Sequence, residues 1–410
     1  MDLFKDYFSY VGATEAPDVY HRWTLISILG AMLGRRRFIP FGHGLIYPNQ
    51  YIMLMGSPGT RKGTAMNIGA KLLRGANYKR FCPDRLSKER FLIEIKPYDF
   101  EELLGDDADL TVLEMDTVSE IYAFAEEFTD LVGQGGMEFM TMLTKLWDNM
   151  SRYEHPKIHG RSIAIDKPTV NLFGGNTVQG LALAIPAEAL DNGFMSRMLM
   201  IHGEPTGKKI TFPEFVNPLL REQLIAFLIS LRESPVSPIE YTKEAKPLLD
   251  EIYRNAVEVD DGRFKHYQTR RFIHLLKLCM IVSVALGETE ITAEVVIRSN
   301  TYLANIEGRM PKALGEFGSS KYNKVSSAIL EILNKRSKPV SPNELWKLVG
   351  RDLTKMTELS EIMKNLILSD KAQVITVATK QGYMSKVVAA KEWPAHLVDN
   401  SLLTTQERER

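Results

Sequence analysis

Apolar and polar positions change their rhythm several times along this chain. Residues 1–48 carry a helical pattern, clearest from Val19 to Leu33, where an amphipathic stretch that Asp18 is placed to cap runs into the basic triplet Arg35, Arg36 and Arg37. The short run Gln50 to Met55 is then almost wholly apolar and closed by glycine, the pattern of a buried strand. Strand and helix signals alternate from there to about residue 203, as in a parallel sheet covered by helices. From Pro213 to about Met310 the period is helical, clearest over Leu219–Leu231, Lys246–Val257 and Thr269–Leu286. Gly315–Ser320 reads as a linker. Beyond it the pattern predicts helices over Lys321–Asn334, Pro342–Val349 and Met356–Leu368, then a hairpin of Gln373–Val377 and Met384–Val388 turning through Lys380–Gly382. That order, three helices and a β-hairpin, is a winged-helix layout. The tail from Glu392 is polar and expected to fray.

Composition adds bounds. With 410 residues the chain has room for two or three packed units, and 44% hydrophobic with 25% charged content is that of a globular protein. No apolar run reaches the roughly 18 residues of a bilayer span, and the first residues lack the basic-then-apolar pattern of a secretory signal. Only two cysteines occur, Cys82 and Cys279, too few for a disulfide framework or a Cys-rich zinc site, so a reducing cytoplasm is expected. Net charge is zero but unevenly spread. Pro97–Thr144 holds thirteen acidic residues and no Lys or Arg, whereas Gly318–Lys391 holds thirteen basic and six acidic residues. A cationic module of this kind suits a polyanion, and a plain solvated surface is the bland alternative.

The sharpest motif is Gly56-Ser57-Pro58-Gly59-Thr60-Arg61-Lys62-Gly63-Thr64. It follows a predicted strand and precedes a predicted helix, Ala65–Leu73, which is the context a phosphate-binding loop needs. Glycines let backbone N–H groups converge on phosphate oxygens, and the helix turns its positive end to the same anion. Lys62 would neutralise the β- and γ-phosphates. Two positions depart from the common pattern G-x-x-x-x-G-K-[ST]. Arg61 stands where the last glycine is expected, and Gly63 where the magnesium-binding hydroxyl is expected, so Thr64 or a water is left to supply it.

Downstream residues supply candidates for the rest of a hydrolytic site. A strand-like run, Asp109–Leu113, leads into Glu114, Asp116 and Glu120. A carboxylate there would hold Mg2+ and another would polarise the attacking water. Glu120 is the expected water-activating group and Asp116 the metal-side group, with the choice among the three acids open. Pro168–Thr177 reads as a buried strand whose polar end places Asn176 to contact a γ-phosphate or orient water. Arg197, just before the apolar run Met198–Ile201, is expected to act as an arginine finger on a neighbouring subunit's nucleotide. Arg270 or Arg271 opens a helix that could fold over the nucleotide as a lid, with no sequence reason to prefer one.

Together these residues resemble the phage and prophage P-loop ATPases of replication modules, often the helicase half of primase-helicase proteins. The likeness is carried by Glu15–Trp23, Leu33–Arg36, Pro48–Tyr51, the loop, Ser119–Ile121, Gly174–Thr177 and Gly193–Arg197. It covers about residues 10–205, and the motif order also resembles superfamily 3 and MCM-type AAA+ helicases. The resemblance implies an α/β P-loop NTPase core, AAA+-like, over 49–210, preceded by a helical region 1–48. A helical lid over 211–314, a winged helix over 318–391 and a tail over 392–410 complete the expected plan. It also implies ATP and Mg2+ as cofactors, ring assembly as a homo-oligomer, here expected to be a hexamer, and other replication proteins as partners in a host cytoplasm. Nothing suggests a primase domain.

In the resembling helicases a hairpin between acidic strand and sensor strand projects into the ring channel. Ser151–Ile165 fits such a hairpin, turning at His159–Gly160, so Lys157, His159 and Arg161 are expected to grip DNA. Lys355 and Lys364, with Lys380 and Lys386 on the wing, form a second candidate surface. The expectation is an ATP-driven helicase or translocase on single-stranded or forked DNA. A helicase loader or initiator that switches without unwinding is the alternative, and a small-molecule phosphotransferase is disfavoured by the lack of a second pocket motif.

Overall fold

The computed structural model describes residues 2–83, 85–97, 118–133, 136–156, 162–184, 193–213, 217–259, 261–315, 321–335, 340–368, 372–379, 382–389 and 393–408. The chain opens with α1 (Leu3–Val11) and α2 (Asp18–Leu33), then an antiparallel hairpin of β1 (Arg37–Phe41) and β2 (Gly44–Ile46). β3 (Tyr51–Met55) passes through the glycine-containing loop into α3 (Lys62–Gly75), followed by α4 (Lys88–Ile95) and β4 (Glu120–Ala125). A second antiparallel hairpin, β5 (Arg152–His155) with β6 (Ile163–Asp166), precedes β7 (Thr169–Asn176) and β8 (Met198–His202).

β4, β7, β3 and β8 make one parallel sheet in that spatial order. Every residue of β3 and β7 is buried, which is why both read as near-continuous apolar runs rather than alternating ones. Tyr51 lies opposite Leu172 and Met198, and Met55 opposite Asn176 and His202, so three strands end level with one another. The chain passes from β7 to β8 across β3, and a reversal of this kind opens a crevice at the carboxyl ends of the strands. The loop 56–64 lies there.

Three expectations change. Residues 1–48 are not all helical, because the basic triplet enters β1, to which β9 (Ser237–Pro238) adds in parallel. The triplet's side chains bind neighbouring oxygens. Arg35 donates to Thr169 Oγ1 at 2.7 Å and to the Pro168 carbonyl at 3.0 Å, while Arg36 and Arg37 donate to the Ser234 and Pro235 carbonyls. α2 is buried all round after Asp18 instead of amphipathic, because α1, α3 and the helices Pro218–Glu233 and Arg271–Ala285 enclose it. Pro17, not Asp18, is its N-cap residue.

The tail does not fray. Leu397 and Leu403 sit in the main core, and Glu407 makes a two-point ion pair with Arg22 of α2, at 2.6 Å to Nε and 2.5 Å to Nη2. Asn305 and Asn300 donate to the Glu407 and Leu397 carbonyls at 2.9 and 2.8 Å. Between the helix Met310–Leu314 and this tail lies a module with its own core: helices Lys321–Lys335, Pro342–Val349 and Met356–Leu368, then β10 (Ala372–Thr379) paired antiparallel with β11 (Gly382–Ala389). Among the described residues no helix is long and apolar enough to cross a membrane.

Candidate functional site

The base of the loop is clamped by its neighbours. Gly56 N donates to the Asn176 carbonyl at 3.4 Å, and Gly203 N donates to the Met55 carbonyl at 3.0 Å, tying β7 and β8 to the end of β3. Tyr20 Oη of α2 donates to the Met55 and Gly203 carbonyls at 2.7 and 3.1 Å, where burial pushes the phenol up to about 12. A Cβ at Gly56 would stand 2.4 Å from that hydroxyl and 2.8 Å from the Gly203 carbonyl, so the position admits only glycine.

The two departures from the common loop pattern have physical answers. Arg61 has φ of 62°, the left-handed conformation that the expected glycine would adopt freely, so the turn survives the substitution at a conformational cost. Its guanidinium offsets this by pairing with Glu15 at 2.6 Å. The Ile210 amide first, then Arg61, holds the Glu15 carboxyl below its usual range. Gly63 faces the carboxylate of Glu126, whose Oε1 accepts from Asn67 Nδ2 at 2.8 Å. Thr64 is exposed on the first turn of α3. Lys62 Nζ folds onto the loop, donating to the Gly56 and Ser57 carbonyls at 2.9 and 3.2 Å and to Thr60 Oγ1 at 3.3 Å. Thr60 Oγ1 itself donates to the Ser57 carbonyl at 2.9 Å, while Ser57, Pro58 and Gly59 form the exposed crest.

Two carboxylates reach this crevice, and neither was among the expected ones. β4 ends at Ala125, and Glu126 and Glu127 follow at the same sheet edge as the loop. Burial lowers the basicity of Lys62 and raises the Glu127 carboxyl, and the attraction between the two partly opposes both shifts. The signal was present: an apolar strand, Ile121–Ala125, closed by two acids. Asn176 lies where it was expected, at the end of β7 opposite Met55 and fully buried. Its Oδ1 accepts from Thr177 N at 2.8 Å, while its Nδ2 has no partner among the described residues. An unspent buried donor beside the loop 56–64 could serve an acceptor oxygen held there.

Other expected site residues lie elsewhere. Glu120 begins β4, at the far end of the strand from the loop, and is ion-paired in the core with Arg232. It therefore cannot polarise a water at the loop. Asp116 and Glu114 fall outside the described residues, as do Lys157, His159, Arg161 and Lys380. Arg197 is buried next to Met198, opposite the first residue of β3, so it too is at the other sheet edge. Its guanidinium donates to Asp148 Oδ2 at 2.6 Å and to the Gly193 carbonyl at 2.8 Å, over the ring of Trp147. Arg270 reaches the same carboxylate, Asp148 Oδ1, at 3.4 Å, so it does not lie over this chain's own loop. Arg271 is held in the core by Glu307 at 2.7 Å and Asn300 Oδ1 at 2.8 Å, against Trp393, which makes it structural. Lys355 and Lys364 are exposed at and on the helix Met356–Leu368, and Lys386 lies in β11 opposite Ile375.

Among the described residues no three His, Cys, Asp or Glu side chains form a metal cage. Mg2+ needs none, since it is commonly held by one or two carboxylates together with substrate phosphates and waters. The pair Glu126 and Glu127 beside Lys62 fits that donor set, with Glu126 nearest the position that a loop hydroxyl would occupy.

No protein-family model matches the chain, and no curated protein matches it. Among solved structures, the Orc1 protein of Aeropyrum pernix in complex with DNA aligns over 97% of this chain and 95% of that chain, at 14% identity and a TM-score of 0.27.

Proposed function

We propose that this chain is an ATP-hydrolysing motor of the P-loop kind that acts on single-stranded or forked DNA as a closed ring. One observation carries the nucleotide part: the loop 56–64, the acids Glu126 and Glu127, and Asn176 Nδ2, which has no partner among the described residues, meet at one edge of the parallel sheet. Lys62 now spends its ammonium on loop carbonyls and would turn it to the β- and γ-phosphates. Glu126 would face the metal-side phosphate oxygens, Glu127 would take the proton of the attacking water, and Asn176 Nδ2 would donate to the γ-phosphoryl group. Mg2+, held by Glu126 with the phosphates, would supply charge neutralisation to the transferring group. Arg197 would act on a neighbouring copy's nucleotide, because its own loop is a strand's length away.

The DNA part is supported by the basic excess of Gly318–Lys391, by the exposed Lys355 and Lys364, and by the β5–β6 hairpin with its basic tip residues in sequence. The experiment is ATP turnover with and without forked DNA, together with strand displacement. ATP- and DNA-dependent displacement, abolished in Lys62→Ala, is the expected result. Hydrolysis without displacement on either polarity would replace the motor with a loader or initiator switch. Absence of ATP binding would end the nucleotide reading.

A further inference from the structure

The helix that holds the base of the loop has no local cap. Pro17 is the N-cap residue of α2 and offers no side-chain acceptor, so the first amide of the helix, Asp18 N, needs one from elsewhere. It comes from the tail: Gln406 Oε1 accepts from Asp18 N at 2.7 Å, across 388 positions of sequence. One turn along α2, Arg22 pairs with Glu407. Gln406 lies in the short turn Thr405–Arg408, which is itself fixed. Glu407 Oε2 accepts from Thr404 N at 2.8 Å, and the Glu407 carbonyl accepts from Asn305 Nδ2 at 2.9 Å and Arg309 Nη2 at 2.5 Å. The cap therefore arrives on a rigid support.

Residues 18 and 22 share a face of an α-helix, and residue 20 lies about 200° round from residue 18. The tail thus grips one face of the first turn, and Tyr20 leaves from the opposite one. Tyr20 is fully buried against two glycines: a Cβ at Gly203 would stand 2.6 Å from its Cε1, and one at Gly56 2.4 Å from its Oη. Its hydroxyl binds the carbonyls of Met55, the last residue before the loop, and of Gly203, which follows β8. If the first turn frayed, the phenol would withdraw. The Met55 carbonyl would then lose its donor where the chain enters Gly56, whose own carbonyl receives Lys62. Helix ends are the first places to open, so an acceptor on the first amide sets how often this happens.

We infer that Gln406 is a positioning residue for the nucleotide loop: it caps α2 from the tail and so keeps Tyr20 on the Met55 and Gly203 carbonyls. This rests on the reading of loop 56–64 as a nucleotide site. The tail then serves nucleotide binding as well as stability.

The test measures the Kd of a fluorescent ATP analogue for full-length variants, with a urea melt of each to show that it is folded. Gln406→Ala keeps the pair of Glu407 with Arg22, so the tail stays docked, and it should raise Kd about fivefold, the factor equivalent to a typical cap. Gln406→Glu retains the acceptor and should return to the intact value. Tyr20→Phe keeps the ring without the hydroxyl and should raise Kd up to about tenfold. Adding Gln406→Ala to Tyr20→Phe should then change Kd by less than about twofold, because the link is already cut. A tail that only stabilises the fold would give one factor in both backgrounds, and that result would overturn the inference, as would an unchanged Kd in Gln406→Ala. Asp18→Pro removes the amide that needs the acceptor, at a helix position where proline is tolerated. In that background Gln406→Ala should be silent, and a persisting effect would show that the amide is not the link. No binding by the intact chain defeats the loop reading, whereas binding that ignores Gln406 defeats only the role of the tail.

Discussion

Glu126 stands against Gly63: a Cβ at residue 63 would lie 2.9 Å from Glu126 Oε2. The glycine that breaks the usual loop pattern therefore makes room for a carboxylate arriving from the end of β4. The group it meets is the far end of a flexible side chain, so a small side chain at 63 would displace the carboxylate without disturbing the backbone. Gly63→Ser is expected to leave thermal stability within about 1 kcal/mol. It should still weaken turnover and shift its Mg2+ dependence. A melting temperature that collapses, or a Mg2+ titration identical to that of the intact chain, would contradict this relationship.

The same geometry separates three glutamates. Glu127→Gln should bind ATP normally and hydrolyse it about 10²–10⁴-fold more slowly, the usual contribution of a positioned acid–base group. Glu126→Gln should raise the Mg2+ requirement. Glu120→Ala should act on folding, removing the carboxylate from the buried pair with Arg232 at a cost of about 3–5 kcal/mol. Denaturant melts beside single-turnover hydrolysis sort the three. Slow hydrolysis by a fully stable Glu120→Ala would restore it to the active site.

Removing the tail should loosen the whole core. Glu407 closes a buried pair with Arg22, and burial alone would raise its carboxyl, but Arg22 outweighs this and holds it below its usual range. Glu407→Ala strands the Arg22 guanidinium and should cost about 3–5 kcal/mol. Chemical denaturation of Glu407→Ala and of a chain ending at residue 392 measures it. A midpoint unchanged in both would mean that the tail is a passenger.

Acid should destabilise the fold well before the carboxylates titrate. Burial depresses both His21 and His274 to about 3, with the Ser196 carbonyl opposing this at His274 and Lys208 adding to it at His21. Their unfolded forms take up protons near pH 6.5, so the unfolded state binds more protons between about 6.5 and 3, and stability falls as pH drops through that window. Glu407, depressed in the fold, adds to the loss at the acid end. Melting temperature measured from pH 7.5 down to pH 5 should decline steadily, and a flat profile would show that the two imidazoles are not held neutral.

Much of this protein was legible along the chain because its chemistry is local. A strand, a glycine turn, a lysine and a helix occupy consecutive residues, so the strand–loop–helix unit could be read from spacing alone. The ending of β7 at Asn176 was readable for the same reason. Choice among distant groups was not. Glu120 and Glu127 belong to one short stretch, and only the pairing of β4 with β7 decides which end of that strand faces the loop. Arg270, with Arg271 one of two lid candidates by order, was assigned by folding to Asp148 at the other edge. The polar tail was drawn into the core by an ion pair between residues 22 and 407 that no local pattern announces. Periodicity and turn chemistry act over a few residues, whereas burial, charge pairing and register are settled between elements far apart in sequence. The chain alone thus determined that a glycine- and lysine-bearing turn joins a buried strand to a helix, and the tertiary structure decided which charges attend it.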